Sequence, residues 1–202
     1  MQAEGGGAVI AALLLIWPAA SAKPAPALLL ADPAPAAVAA AVVRPALPPR
    51  CVYRADAGLD LPDPACTPGV VDPEIVADPS GDHRVVDGVE VNICAKGFTT
   101  RPFRRTTEAM KREVCAEYGA KDCPDPARGE VDHLVPLELG GKDDVRNLWW
   151  QPAPSYHIKD HQVEDRLKPL VCAGRLTLRQ AQDCVRGDWV ACAAKVKVME
   201  AK

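Results

Sequence analysis

Aromatic residues make up only 4% of this 202-residue chain. A core built with so few large rings is modest, and such a domain needs help from crosslinks. No C-x-x-C pair occurs, which argues against a zinc ribbon. No apolar run suits a bilayer span. Ala8–Trp17 is ten residues long, and the greasy tract from 28 to 43 is interrupted by Asp32, Pro33 and Pro35. No internal repeat is visible, so nothing points to a solenoid. The net charge of -3 does not mark the whole chain as a polyanion binder. Histidine is scarce, with four in all.

The amino terminus reads as an export signal. Residues 1–22 hold the short apolar run and then "PAASA", an Ala-x-Ala cleavage pattern ending at Ala22. The usual basic residue before the run is missing, and Glu4 stands there instead. Residues 23–50 are an Ala/Pro-biased linker whose seven prolines exclude a continuous helix. All eight cysteines follow the cleavage site, and an even count in an exported chain implies disulfides. Spacing leaves 105 pairings open in principle. Cys115–Cys123 and Cys184–Cys192 are the local candidates, and Cys51 with Cys66 is expected to staple a loop-rich segment at 51–88. Periplasmic or secreted localisation follows from these features, with no membrane span in the mature chain.

Charge is unevenly spread. Residues 1–90 carry 5 Lys and Arg against 11 Asp and Glu, whereas residues 91–202 carry 19 against 16. The mildly basic second half, 89–202, is also where regular structure is expected. Val89–Cys94 alternates as a strand. Phe103–Gly119 has helical spacing, with Gly119 as a stop. Glu130–Val135 reads as a strand, Leu139–Asp144 as a turn-rich loop with Gly140 and Gly141 at positive φ, and Val145–Trp150 as a second strand. A helix is expected over Tyr156–Val171, with Ser155 as N-cap and Pro169 kinking or ending it. Thr177 is the candidate N-cap of a further helix over Leu176–Trp189.

One stretch, "EVDHLVPLELGG" (130–141), holds an acid and an imidazole side by side in an apolar strand. Three of the four histidines, His133, His157 and His161, fall around this strand–loop–strand–helix unit. His157 and His161 are i and i+4 and share a helix face. Imidazole and carboxylate together make a borderline ligand set for magnesium, manganese, zinc or nickel. An imidazole near ~6.5 can also take a proton from water. Each feature has a plainer reading: a core histidine, a solvated helix face, a chance Asp-His pair. Lys159 reads as a solvated helix lysine, and Glu138 as structural or solvated. Arg101, Arg104 and Arg105 form a basic cluster that suits either a nucleic-acid backbone or an ordinary surface.

The run "VDHLVPLELGG…VRNLWWQP…HIKD" resembles the HNH endonuclease family, in the branch found among exported bacterial proteins. The resemblance covers about half the chain and is most specific over 130–164. It implies an α+β fold: a small disulfide-stapled domain with a ββα-metal core and flanking helices. It implies a hydrolase that cuts phosphodiester bonds of nucleic acid, DNA before RNA, with low sequence specificity. His133 matches the general base, and Asn147 matches the residue that fixes the loop. Asp132 and His157, with His161 one turn on, match the holders of one divalent metal ion. Trp150 stands where this branch usually has proline. The mechanism asks that Asp132 and His157 grip one cation together, and that the strand end or bulge near His133, since strand neighbours point to opposite faces. An HNH-like module that binds without cutting, and a disulfide-rich envelope protein, are the alternatives.

Overall fold

The computed structural model describes residues 50–201, apart from 122 and 124. The expected signal at 1–22 and the linker at 23–50 lie outside the described residues, save Arg50. The described part is a mixture of helices and three two-stranded antiparallel sheets. Strands β1 (Arg54–Asp56) and β2 (Leu59–Leu61) form one hairpin, and β3 (Val85–Val86) and β4 (Val89–Glu90) another. The expected strand over Val89–Cys94 is shorter because its second half leaves the hairpin: Asn92 bridges Val76 instead.

Helix α1 (Glu108–Glu117) starts where Thr107 accepts a hydrogen bond from the Met110 amide. The helix therefore begins five residues later than its periodicity suggests, because the threonine supplies the cap. A single 3-10 turn at Arg101–Phe103 precedes it. Strand β5 (Gly129–His133) then pairs with β6 (Leu148–Pro152) in a register that sets Asp132 opposite Trp149 and Glu130 opposite Gln151. The second strand begins late because Val145–Asn147 close a 3-10 turn, capped by the Asp144 carboxylate.

After β6 the chain enters one continuous helical stretch. It comprises α2 (Ser155–Lys159), a π-turn (Asp160–Glu164) and α3 (Asp165–Cys172). Ser155 does not cap it; its hydroxyl donates to the Pro152 carbonyl at 2.5 Å. Pro169 does not end it either, and the helix runs on to Cys172. Helix α4 (Leu178–Gly187) begins at Thr177 with a full capping box, as expected, and α5 (Trp189–Glu200) follows at once from an Asp188 cap.

The core joins these pieces. Trp149 and Trp189 are fully buried together with Leu134, Leu139, Leu148, Val163 and Leu167. Leu61 and Ile75 from the loop-rich segment belong to the same cluster. Tyr53 adds a hydrogen bond to the Trp150 carbonyl, and Trp189 Nε1 donates to the Asp60 carbonyl. Few aromatics suffice because all the described tryptophans sit inside. The two glycines after Leu139 differ in their reasons. Gly140 has φ 74°, where a side chain is strained. At Gly141, a Cβ would stand 1.8 Å from the Val135 carbonyl oxygen, so close backbone approach requires glycine there.

All eight cysteines pair: Cys51–Cys66, Cys94–Cys172, Cys115–Cys123 and Cys184–Cys192. Both local candidates and the Cys51–Cys66 staple are present. The fourth bridge closes 78 residues, against 8 for Cys184–Cys192. On the chain-entropy account these loops are worth roughly 4.5 and roughly 2.5 kcal/mol. Replacing Cys94 and Cys172 by alanine should therefore lower the unfolding free energy more than replacing Cys184 and Cys192, as read from urea midpoints. Equal losses would contradict this ordering.

Candidate active site

The loop between β5 and β6 is cinched by one side chain. Asn147 is completely buried. Its Oδ1 accepts from the Val135 amide, and its Nδ2 donates to the Val135 and Lys142 carbonyls, each at 2.9 Å. Its backbone carbonyl accepts from the Leu134 amide at 2.7 Å. An asparagine that uses both ends of its amide in this way fixes a loop that has little secondary structure of its own. The loop in turn places Asp143.

Asp143 faces the end of β5. Its Oδ1 lies 2.8 Å from His133 Nε2 and accepts from the Thr106 hydroxyl at 2.5 Å, while Oδ2 accepts from the Arg105 amide. Burial alone would raise this carboxyl, but hydrogen bonds from Thr106, His133 and Arg105 hold it below its ordinary value. An ionised carboxylate only accepts, so His133 Nε2 is the donor, and in the neutral ring the lone pair falls on Nδ1. Burial pulls the His133 pKa down further than Asp143 pulls it up. The imidazole is therefore neutral at neutral pH and fixed in orientation, with its lone pair on Nδ1. It lines a cleft of about 340 Å³ shared with Arg104, Thr106, Lys111, Glu130 and Val131. Arg104 of the basic cluster thus reaches this cleft, whereas Asp143 was hidden among ordinary turn residues.

Strand β5 stays regular up to His133, its last residue. No bulge appears before it; the strand simply stops. Alternation points the Val131 and His133 side chains into the cleft and the Asp132 side chain away from it, while Glu130, which shares the Asp132 face, still borders the cleft at the strand's edge. Asp132 Oδ2 accepts from Lys159 Nζ at 2.6 Å. The same ammonium donates to the His133 carbonyl at 2.8 Å and to Glu164 Oε1. Lys159 is completely buried, so its reading as a solvated lysine is wrong. Burial would lower its pKa, but Asp132 and Glu164 more than offset this and hold it above the usual lysine range. Glu164 is pushed up by burial more than Lys159 pulls it down.

The expected ligand set of Asp132, His157 and His161 does not come together. The helix puts His157 in solvent, with its ring 3.9 Å from that of Tyr156. His161 is exposed and lies 3.1 Å from Asp165 Oδ2. The reason is which helix face meets the strand: both histidines lie on its exposed side, whereas Lys159 and Asp160 face Asp132. The helix contributes Asp160 instead. Among the described residues, the group able to hold a metal ion is Glu130, Asp132 and Asp160, with ligand oxygens all within 4.8 Å of one another. Three carboxylates so close fit a divalent cation by charge and by donor type. The helix does meet the strand at one cation-sized corner, but through a carboxylate.

Comparison with known proteins adds nothing to this geometry: no protein-family model matches the chain, and neither a curated protein nor a solved structure does.

Two measurements test this corner. Replacing Lys159 by methionine leaves Asp132 and Glu164 without their cation and should cost about 3 kcal/mol or more of stability. A loss within about 0.5 kcal/mol would be that of a surface lysine. The second test is pH. Burial, then the charges of Asp132 and Asp160, push Glu130 from an ordinary 4.5 up to about 7. A raised carboxyl stabilises the fold fully below its unfolded pKa, and that stability is lost as pH rises through its folded pKa. With a chelator present, wild type should lose stability relative to Glu130→Gln as pH rises from 4.5 through about 7. A difference that does not vary with pH would refute the crowding of carboxylates.

Proposed function

We propose that this chain is an exported endonuclease of HNH type that hydrolyses phosphodiester bonds in nucleic acid, DNA before RNA, with one divalent metal ion. The observation that carries the reading is the Asp143–His133 pair, a neutral imidazole held by a buried carboxylate, one residue from the acidic corner around Asp132. Four disulfides fit an oxidising compartment, and no described helix is long and apolar enough to cross a membrane.

In this reading His133 takes a proton from water at Nδ1 while Asp143 holds Nε2–H and steadies the imidazolium that forms. The water oxygen attacks phosphorus, and the bond to the 3′ oxygen breaks. Arg104 and Lys111 line the same cleft and hold the phosphate by charge, without reading bases. Glu130, Asp132 and Asp160 would hold the ion, which supplies charge neutralisation at the phosphate and at the departing oxygen. Asn147 acts at a distance by fixing the loop that carries Asp143.

The test is nicking of supercoiled plasmid by the oxidised protein with magnesium or manganese. His133→Ala should cut at least about 100-fold more slowly, and Asp143→Asn should show a smaller loss in kcat with little change in KM. If wild type and His133→Ala both leave DNA and RNA intact across several divalent ions, the chain is a binding module and the hydrolase reading falls.

A further inference from the structure

The hairpin face that carries Glu130 and Asp132 carries a further polar side chain. Gln151 lies directly opposite Glu130 in the register, and residues so paired project to the same side of a sheet. Gln151 is completely buried. Neither its Oε1 nor its Nε2 has a hydrogen-bond partner among the described residues. Buried amides are almost always satisfied, by protein, water or an ion, so an amide with both ends unpartnered has the capacity to hold a ligand. Its cross-strand neighbour Glu130 belongs to the carboxylate group whose oxygens lie within 4.8 Å of each other. Asp132, a member of that group, also shares the Lys159 ammonium with Glu164. The corner thus offers three clustered carboxylates, and the unpartnered carboxamide of Gln151 projects from the same face of the hairpin.

The geometry points to a hard divalent cation of the magnesium and manganese class, held by Glu130, Asp132 and Asp160 with Gln151 as its inner partner. The carboxamide oxygen turns to the ion, and the amide hydrogens turn to a carboxylate of the same group. The donors are all oxygen, which suits a hard ion, whereas zinc and nickel sites draw on imidazole. His157 and His161 stay in solvent and take no part. The inference deepens the hydrolase reading and rests on it for the ion's purpose, while the binding itself is measured without any substrate.

The full oxidised chain, stripped with chelator, is titrated with Mn²⁺ by calorimetry, and the bound ion is examined by pulsed electron paramagnetic resonance. One ion per chain is expected, without coupling to imidazole nitrogen. Affinity should be unchanged in the His157→Ala/His161→Ala double variant and about tenfold weaker in Gln151→Met. In chelator Gln151→Met should be as stable as wild type or more so, because an apolar chain of like size replaces an orphaned amide. Gln151→Glu, which keeps the shape and adds charge, should bind the ion more tightly; it serves as the test if Gln151→Met does not fold. The proposal is overturned by nitrogen coupling, by lost binding in the double histidine variant, by wild-type affinity in the Gln151 variants, or by no binding at all. Tight Mn²⁺ binding without plasmid cleavage would leave the site standing and remove the hydrolase reading.

Discussion

A buried ammonium ties this molecule together. Lys159 reaches from the helix after β6 back to the end of β5, where it bonds Asp132 and the His133 carbonyl, and it holds Glu164 on its own helix. A lone charge in that position would be very costly. It persists because it is surrounded by acceptors, and those acceptors are the end of the strand that carries both candidate chemistries. The contact fixes strand, helix and acidic corner relative to one another. It also explains why β5 can stay regular to its last residue: the carbonyl at that residue, which would otherwise begin a frayed loop, already has a partner.

The two faces of β5 then divide the work. One face turns His133 to a cleft with Arg104, Thr106 and Lys111, where a neutral imidazole is oriented by Asp143. The other turns Glu130 and Asp132 toward Asp160. Neighbouring residues on a strand cannot share a face, so the proposed base and the proposed ion holder, adjacent in sequence, would act across the strand's edge. Strand β5 belongs to a two-stranded sheet, and among the described residues no further strand pairs with its other edge. The opposition of Asp132 and His133 is thus compatible with one substrate lying along that edge, and it needs no distortion of the backbone.

What was legible in the sequence follows from what is local. Strand β5, the late helix, the capping box at Thr177 and two eight-residue disulfides depend on near neighbours, and each was readable from spacing. The loop-fixing role of Asn147 came only from the family resemblance, and its hydrogen bonds to the loop agree with it. The helix-borne residues were not legible. His157 and His161 do share a stretch of helix, but spacing does not say which helix face meets the strand, and both histidines lie on the exposed one. Lys159 and Asp160 resemble any solvated Lys-Asp pair until the path of the helix over the hairpin is known. Glu130 did carry a signal, since i and i+2 on a strand share a face with Asp132. Asp143 carried none, because Asp143 and Asp144 are equally good turn formers and only the loop's path decides which one meets His133. The long Cys94–Cys172 bridge was equally invisible.

That long bridge completes the argument about the site. The helical stretch is anchored near its start by Lys159 and at its last residue by Cys172, bonded to Cys94 in another part of the chain. Between those anchors lies the π-turn that presents Asp160 and Glu164. A helix free to slide could relax the turn to ordinary α geometry and separate the carboxylates, which repel one another. Clamped at both ends, it cannot do so without breaking either a buried ion pair or a covalent bond. In a domain with few aromatic side chains, packing alone would be a weak guarantee against that relaxation. The crosslinks therefore do more than offset a small core: one of them helps hold like charges together at the place where a cation is proposed to sit.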